Sequence, residues 1–206
     1  MTASDPRLER WLESVLGTPG LTAVRDPAEA RRVLVDDSLA AAELVEEGPV
    51  VDVGSGGGSP GIPVALARPD LRVDLLEAQR RKCDFLESAA KGLANVSVVC
   101  ARAEEHGRGA GRDAYGTALA QALATAPVAL EWCLPLVRTG GRVILLAGEV
   151  DLAAAAAASA AVGGGAPDLV PLPGSERRGL LVVPKVGATP ERFPRRPGTA
   201  RKRPLA

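Results

Sequence analysis

The chain has 206 residues, 46% hydrophobic and 2% aromatic, with 25 basic against 25 acidic side chains. That length suits one domain with a sizeable core and short extensions. Balanced charge says nothing about partners, and so few rings argue against RNA binding by base stacking on exposed aromatics. Cys83, Cys100 and Cys133 are odd in number, with no C-x-x-C pair, so they are expected to be reduced core residues rather than a disulfide frame or zinc site. No cationic leader followed by an apolar stretch opens the chain, and the alanine tract 152–162 is too short and too weakly apolar to span a bilayer. A soluble cytoplasmic protein with no membrane partner is the expectation.

The N-terminal part reads as helical. Asp5-Pro6 suits a cap and first turn, and Leu8, Trp11, Leu12, Val15 and Leu16 fall at helical spacing before a break at 17–20. A second helix is expected from Asp26-Pro27 through Val33, and Asp37-Ser38 restarts one that Gly48-Pro49 stops. From residue 50, apolar strand patterns at 50–53, 72–76, 96–100, 117–120, 142–146 and 180–183 alternate with helical ones at 62–68, 80–92, 126–137 and 150–161. Near-continuous apolar strands between helices predict an α/β fold with a mostly parallel sheet covered on both faces. The stretch 163–173 reads as a flexible turn region, and residue 187 onward as an extended tail. The expected organisation is therefore an N-terminal helical extension (1–48), an α/β domain (49–186) and a basic C-terminal tail (187–206). That tail carries Arg192, Arg195, Arg196, Arg201, Lys202 and Arg203 with no acid among them. Such a block is a solvated tail or an arm that contacts phosphates.

The richest signal is VVDVGSGGGSPGIP at 50–63: a buried strand, then five glycines within eight residues, then a helix start. Gly54, Gly56, Gly57, Gly58 and Gly61 let a ligand approach the amides closely, although G-x-G-x-x-G fits only loosely. The second anchor is Glu77, which ends the next apolar run where nucleotide-binding α/β folds place a carboxylate on the ribose hydroxyls. Two adenosine cofactors compete, a nicotinamide dinucleotide and S-adenosylmethionine. Pro60, Gly61 and Pro63 after the glycines fit closer wrapping around a small methionine moiety, and Arg102-Ala103-Glu104-Glu105 follows the third strand. The dinucleotide reading lacks support in hydride chemistry: the sole tyrosine, Tyr115, has Leu119 four residues on. His106, in a glycine-rich stretch, reads as a solvent-exposed loop residue.

These residues carry a resemblance to a family. DVGSGGGSPGIPVALARPDLRVDLLE resembles the cofactor loop of the glucose-inhibited division protein B family nearly position by position. LTAVRDP and DSLA resemble its N-terminal motifs, EWCLPLVRTGGR its helix before the fifth strand, and TPERFPRRPGTARKRPL its basic ending. The likeness runs from about residue 21 to 205. It implies a Rossmann-like class I methyltransferase sheet, S-adenosylmethionine as donor, and methylation of guanine N7 in small-subunit (16S) ribosomal RNA, free or in a ribosomal particle. By the same resemblance, Gly54, Ser59, Glu77, Ala103, Glu104 and Gln121 would contact the cofactor. Gln121 would also sit near the transferring methyl as the catalytic candidate. Arg195, Arg196, Arg201, Lys202 and Arg203 would contact RNA backbone, no metal is implied, and a monomer is favoured.

Three departures stand out. Gln121 occupies the place of a family arginine after the fourth strand, Ala147 that of a lysine before glycine, and Leu34 that of a histidine before D-S. Each lost phosphate or cofactor contact is worth roughly 1.5–3 kcal/mol. The alternative is therefore a catalytically weakened homologue that holds cofactor or RNA without methyl transfer.

Overall fold

The structure, a computed structural model, describes residues 5–175 and 178–206. Its strands are β1 (Val50–Val53), β2 (Val73–Glu77), β3 (Val96–Cys100), β4 (Tyr115–Gln121), β5 (Val137–Ala147), β6 (Asp168–Pro171) and β7 (Gly179–Pro184). They form one sheet in the order β3-β2-β1-β4-β5-β7-β6. The first five are mutually parallel, β7 runs antiparallel to β5, and β6 antiparallel to β7.

Every residue of β1 and β2 is buried, as expected of strands covered on both faces. Alternate residues feed two cores. Val50, Leu75, Leu119 and Ile144 join Leu8, Trp11 and Ile62 on one side. Val51, Leu76, Val143 and Leu181 join Leu130 and Phe193 on the other. Because β2 and β4 flank β1, the chain direction across the sheet switches at β1. Ligands of open α/β sheets bind at such a switch, beyond the carboxyl ends of the strands.

The helices are α1 (Pro6–Gly17), α2 (Pro27–Ala30), α3 (Asp37–Glu43), α4 (Gly61–Ala67), α5 (Arg80–Ala89), α6 (Ala103–His106), α7 (Ala126–Cys133), α8 (Leu152–Ala161) and α9 (Thr199–Lys202). Asp5 caps α1 through the amide of Arg7, and Asp26 caps α2 through that of Glu29. A π-helical stretch, Arg31–Asp36, joins α2 to α3 without the expected restart. Among the described residues no helix is long and apolar enough to cross a membrane.

Four expectations change. The stretch 163–173 contains β6, a four-residue edge strand too short and proline-flanked to stand out, with Asp168, Leu169 and Pro171 exposed. Residues 187–206 are no free tail. Phe193 and Ala200 are buried, Arg112 donates to the carbonyls of Phe193 and Thr189, and Arg108 donates to that of Pro194. The basic residues dominate the sequence pattern there, yet the apolar pair Phe193-Pro194 anchors the segment. Cys83 and Cys100 form a disulfide rather than staying reduced. α5 packs across β2 and β3 and brings the two together, a proximity that spacing does not reveal. Cys133 is free and buried, and burial pushes its thiol up. Finally, His106 belongs to α6 and is half-buried. Its Nε2 lies 2.9 Å from the Tyr115 hydroxyl, which donates to Asp74.

Candidate active site

The carboxyl end of β1 runs into the glycine loop, and two glycines there are forced by space. Gly54 has φ +73°, and a Cβ on it would collide with Leu123. A Cβ on Gly61 would strike Leu75 and Asp52. Asp52 Oδ2 accepts from the Gly61 amide at 3.0 Å, so the strand's last carboxylate ties down the start of α4. Its other oxygen is buried without a partner among the described residues. Burial pushes the Asp52 carboxyl up to about 7. From outside, the Trp11 indole donates to the Gly57 carbonyl at 2.8 Å, so α1 braces the loop.

Glu77 ends β2 facing the same loop. One oxygen accepts from Gly56 N at 3.0 Å, and the other accepts from Ala78 N and Gln79 N at 2.8 Å each. The carboxylate is thereby locked in position at the lip of a cleft. Ser59 reaches the other way. Its hydroxyl lies 2.8 Å from Gln121 Oε1 and 2.9 Å from the Leu34 carbonyl, while Gln121 Nε2 donates to the Val33 carbonyl at 2.9 Å. Both ends of the Gln121 amide are therefore engaged, and the pair stitches the loop and β4 to the π-helical stretch.

Three hollows meet along this line. The first, of ≈ 450 Å³, is lined by Glu77, Lys82, Ala103, Glu104, Trp132 and Arg201 among others. The second, of ≈ 280 Å³, lies between the glycine loop and the N-terminal helices, with Trp11, Leu21, Gly54, Ser55, Ser59 and Gln121 on its walls. The third, of ≈ 290 Å³, opens over the ends of β4 and β5 and includes Asp37, Gln121, Leu123, Ala147, Leu172 and Arg178. Gly54 and Lys82 border the first two, Val33 and Gln121 the second and third, and Ala122 all three. Ala122 holds φ +49°, a left-handed conformation uncommon outside glycine, at the point where the hollows join.

All six residues expected at a cofactor thus line this connected cleft. The folded-back C-terminal segment completes the first hollow: Gly198 N donates to Glu104 at 3.0 Å, and the Arg201 guanidinium stacks 5.3 Å from the Trp132 ring. The cations expected on RNA separate into two groups. Arg195 is bonded to the buried Glu131 and Arg201 covers Trp132, whereas Arg196, Lys202 and Arg203 are exposed and in no ion pair among the described residues. Lys82, Trp11, Asp37 and Arg178 line the cleft without having been singled out for it. D-S at 37–38 was visible as a motif, but nothing in its spacing announces that Asp37 meets Arg178 across 141 positions.

The match to known proteins agrees with this geometry. Residues 8–165 match the family model described as GidB, rRNA small subunit methyltransferase G. The chain belongs to that family. It is 38% identical over 198 residues to the ribosomal RNA small subunit methyltransferase G of Pelotomaculum thermopropionicum, covering 90% of this chain and 82% of the relative. The methyltransferase G of Rubrobacter xylanophilus is 39% identical over 206 residues, covering 93% and 77%. Among solved structures, the T. thermophilus 16S rRNA N2 G1207 methyltransferase (RsmC) in complex with AdoMet and guanosine has a TM-score of 0.59 at 21% identity, over 84% of this chain and 42% of that one. The S-adenosylmethionine-dependent methyltransferase SibL in its apo form gives 0.65 at 16%, over 85% and 62%. At such identities the likeness carries the fold, a class I methyltransferase sheet. As a methyltransferase G, this chain is a divergent one, because Gln121 and Ala147 put no charge where the resemblance puts an arginine and a lysine. Among the described residues, the charged ones of its third hollow are Asp37, Glu149 and Arg178.

Proposed function

We infer that the connected cleft holds S-adenosylmethionine across its first two hollows and presents the methyl group toward the third, for transfer to guanine N7 of small-subunit ribosomal RNA. The single observation that carries the reading is the fixed Glu77 carboxylate at the end of β2. It faces the ≈ 450 Å³ hollow where a ribose diol would donate to it, one residue-width from the glycine loop. Ala103 and Glu104 then border the adenine, and Gly54, Ser59 and Gln121 the methionine end. Bound there, S-adenosylmethionine supplies an electrophilic methyl group on a cationic sulfur.

The residues of the chain have a limited task. Guanine N7 carries its own lone pair, so no side chain has to remove a proton before attack. Alignment and exclusion of water suffice. Ser59 and Gln121 act as positioning groups, since they hold the loop, β4 and the π-helical stretch in one arrangement at the junction of the hollows. Apolar walls from Leu123, Leu146 and Leu172 keep the third hollow dry. The target is folded RNA, free or within a ribosomal particle, recognised largely by shape and phosphates. Arg196, Lys202 and Arg203 are the tail cations free to meet those phosphates, and the protein acts as a cytoplasmic monomer. The test is transfer of radiolabelled methyl from S-adenosylmethionine to small ribosomal subunits from cells that lack the modification. Label recovered as 7-methylguanine is the expected result; a folded, cofactor-binding protein that labels no RNA overturns the reading.

A further inference from the structure

The third hollow is lined by one ion pair, Asp37 with Arg178, by Glu149, Gln121 and Thr125, and by apolar walls that include Leu123, Leu146 and Leu172. Asp37, at the start of α3, is buried, and Arg178, at the start of β7, donates from Nη1 to Asp37 Oδ2. Only Oδ2 of Asp37 accepts a hydrogen bond among the described residues, and Nη2 of Arg178 is buried without a partner among them. A buried guanidinium nitrogen left unpaired is costly unless something uses the pair it belongs to. Gln121, which borders the hollow at its junction with the second, is already engaged at both ends. Asp37 also lies away from the methionine hollow, which it does not line, whereas Gln121 and Ala122 border both.

We propose that Asp37, held by Arg178, reads the Watson–Crick edge of the target guanine in this hollow; the inference rests on the methyl-transfer reading above. A purine whose N7 points to the junction at Gln121 and Ala122 turns its opposite edge toward Asp37. In guanine that edge carries two donors, N1–H and the 2-amino group, which match a carboxylate acceptor. In adenine the same edge carries the N1 lone pair and a C–H, so the carboxylate meets a lone pair and goes unsatisfied. Rejection of the wrong base then comes from a buried polar group left unpaired, the strong form of discrimination. Arg178 keeps the carboxylate charged and aimed. Burial raises the Asp37 pKa while Arg178 and Arg32 lower it and Asp36 raises it, so loss of Arg178 leaves the acceptor prone to protonation. The pair also joins the N-terminal helices to β7, and a purely structural role would predict no dependence on the identity of the base.

The test is calorimetric titration of the full chain, saturated with S-adenosylhomocysteine, with GMP, IMP and AMP, run beside methyl transfer to small-subunit RNA. IMP keeps N1–H and lacks the 2-amino group. The wild type should bind GMP roughly 10- to 100-fold tighter than IMP, as expected for one hydrogen bond to a charged group, and AMP more weakly still. Asp37→Asn should bring GMP and IMP within about threefold of each other, with S-adenosylhomocysteine affinity unchanged and a lowered melting temperature, because Arg178 loses its buried partner. Arg178→Lys, which keeps a cation, should preserve the preference and stands in if Asp37→Asn does not fold. Equal binding of GMP and IMP by the wild type overturns the inference, as does an Asp37→Asn protein that loses both ligands equally. Guanine preference without RNA labelling would sink the substrate assignment and leave Asp37 as the reader. Labelling without preference would do the reverse.

Discussion

Arg195 donates from Nε to Glu131 at 2.8 Å and from its backbone amide to the same oxygen at 3.1 Å, closing the C-terminal segment over a side chain that is 1% exposed. The contact pins the segment to α7. Breaking a buried pair by removing one partner strands a charge, at about 3–5 kcal/mol, and the quarter-exposed arginine puts this case at the lower end. Arg195→Ala should therefore lower the unfolding free energy in urea by about 3 kcal/mol, while the salt dependence of RNA binding keeps its slope. A slope that falls with stability unchanged would return Arg195 to the RNA-contact group.

Arg196, Lys202 and Arg203 should behave in the opposite way. They are exposed and in no ion pair among the described residues, so each alanine substitution should leave the melting temperature within a degree or two. If each contacts a phosphate, the triple variant should bind RNA more weakly. The slope of log K against log salt should drop by roughly 0.7–0.9 per contact removed. Truncation at Val186 would not separate these effects, because Gly198 and Arg201 wall the first hollow, the proposed cofactor site.

Glu77→Ala should weaken S-adenosylmethionine binding about 10- to 150-fold in calorimetry, the worth of hydrogen bonds to a charged acceptor. Glu77→Gln keeps one acceptor and should lose less. Equal affinities of wild type and Glu77→Ala would remove the ribose assignment, since the loop bond from Gly56 alone cannot confer specificity for a diol.

Asp52 makes stability depend on pH with a definite sign. Its folded pKa, about 7, lies above the ordinary 3.8 because burial outweighs the Gly61 and Ser55 hydrogen bonds that favour the charge. Over that window the folded state holds a proton that the unfolded state has released. Stability contributed by the protonated form is thus complete below about pH 4 and declines as pH rises to about 7, by a few kcal/mol in total. Asp52→Asn should flatten that decline in the pH dependence of urea unfolding. A variant with the wild-type slope would show that Asp52 is charged throughout.

How far the sequence could be read follows from the physics of each signal. β1, the glycine loop and Glu77 stand out because a strand buried on both faces, a loop without side chains and a terminal carboxylate are all local patterns. The six strands of strongest apolar run appear within a few residues of their place, whereas β6 does not, because an exposed edge strand needs no such run. Partners separated widely in sequence are silent: Arg195 with Glu131, Arg178 with Asp37, and Cys83 with Cys100 meet only through the packing of β7, α5 and the C-terminal segment. Charge density likewise misleads at 192–203, where a buried phenylalanine decides the path of the chain.

That path has a temporal consequence. During synthesis the nascent chain presents β1, the glycine loop and Glu77 well before residues 195–201 exist, and those residues supply one wall of the first hollow through Gly198 and Arg201. Capture of S-adenosylmethionine at the site proposed above must therefore wait until residues 195–201 have left the exit tunnel.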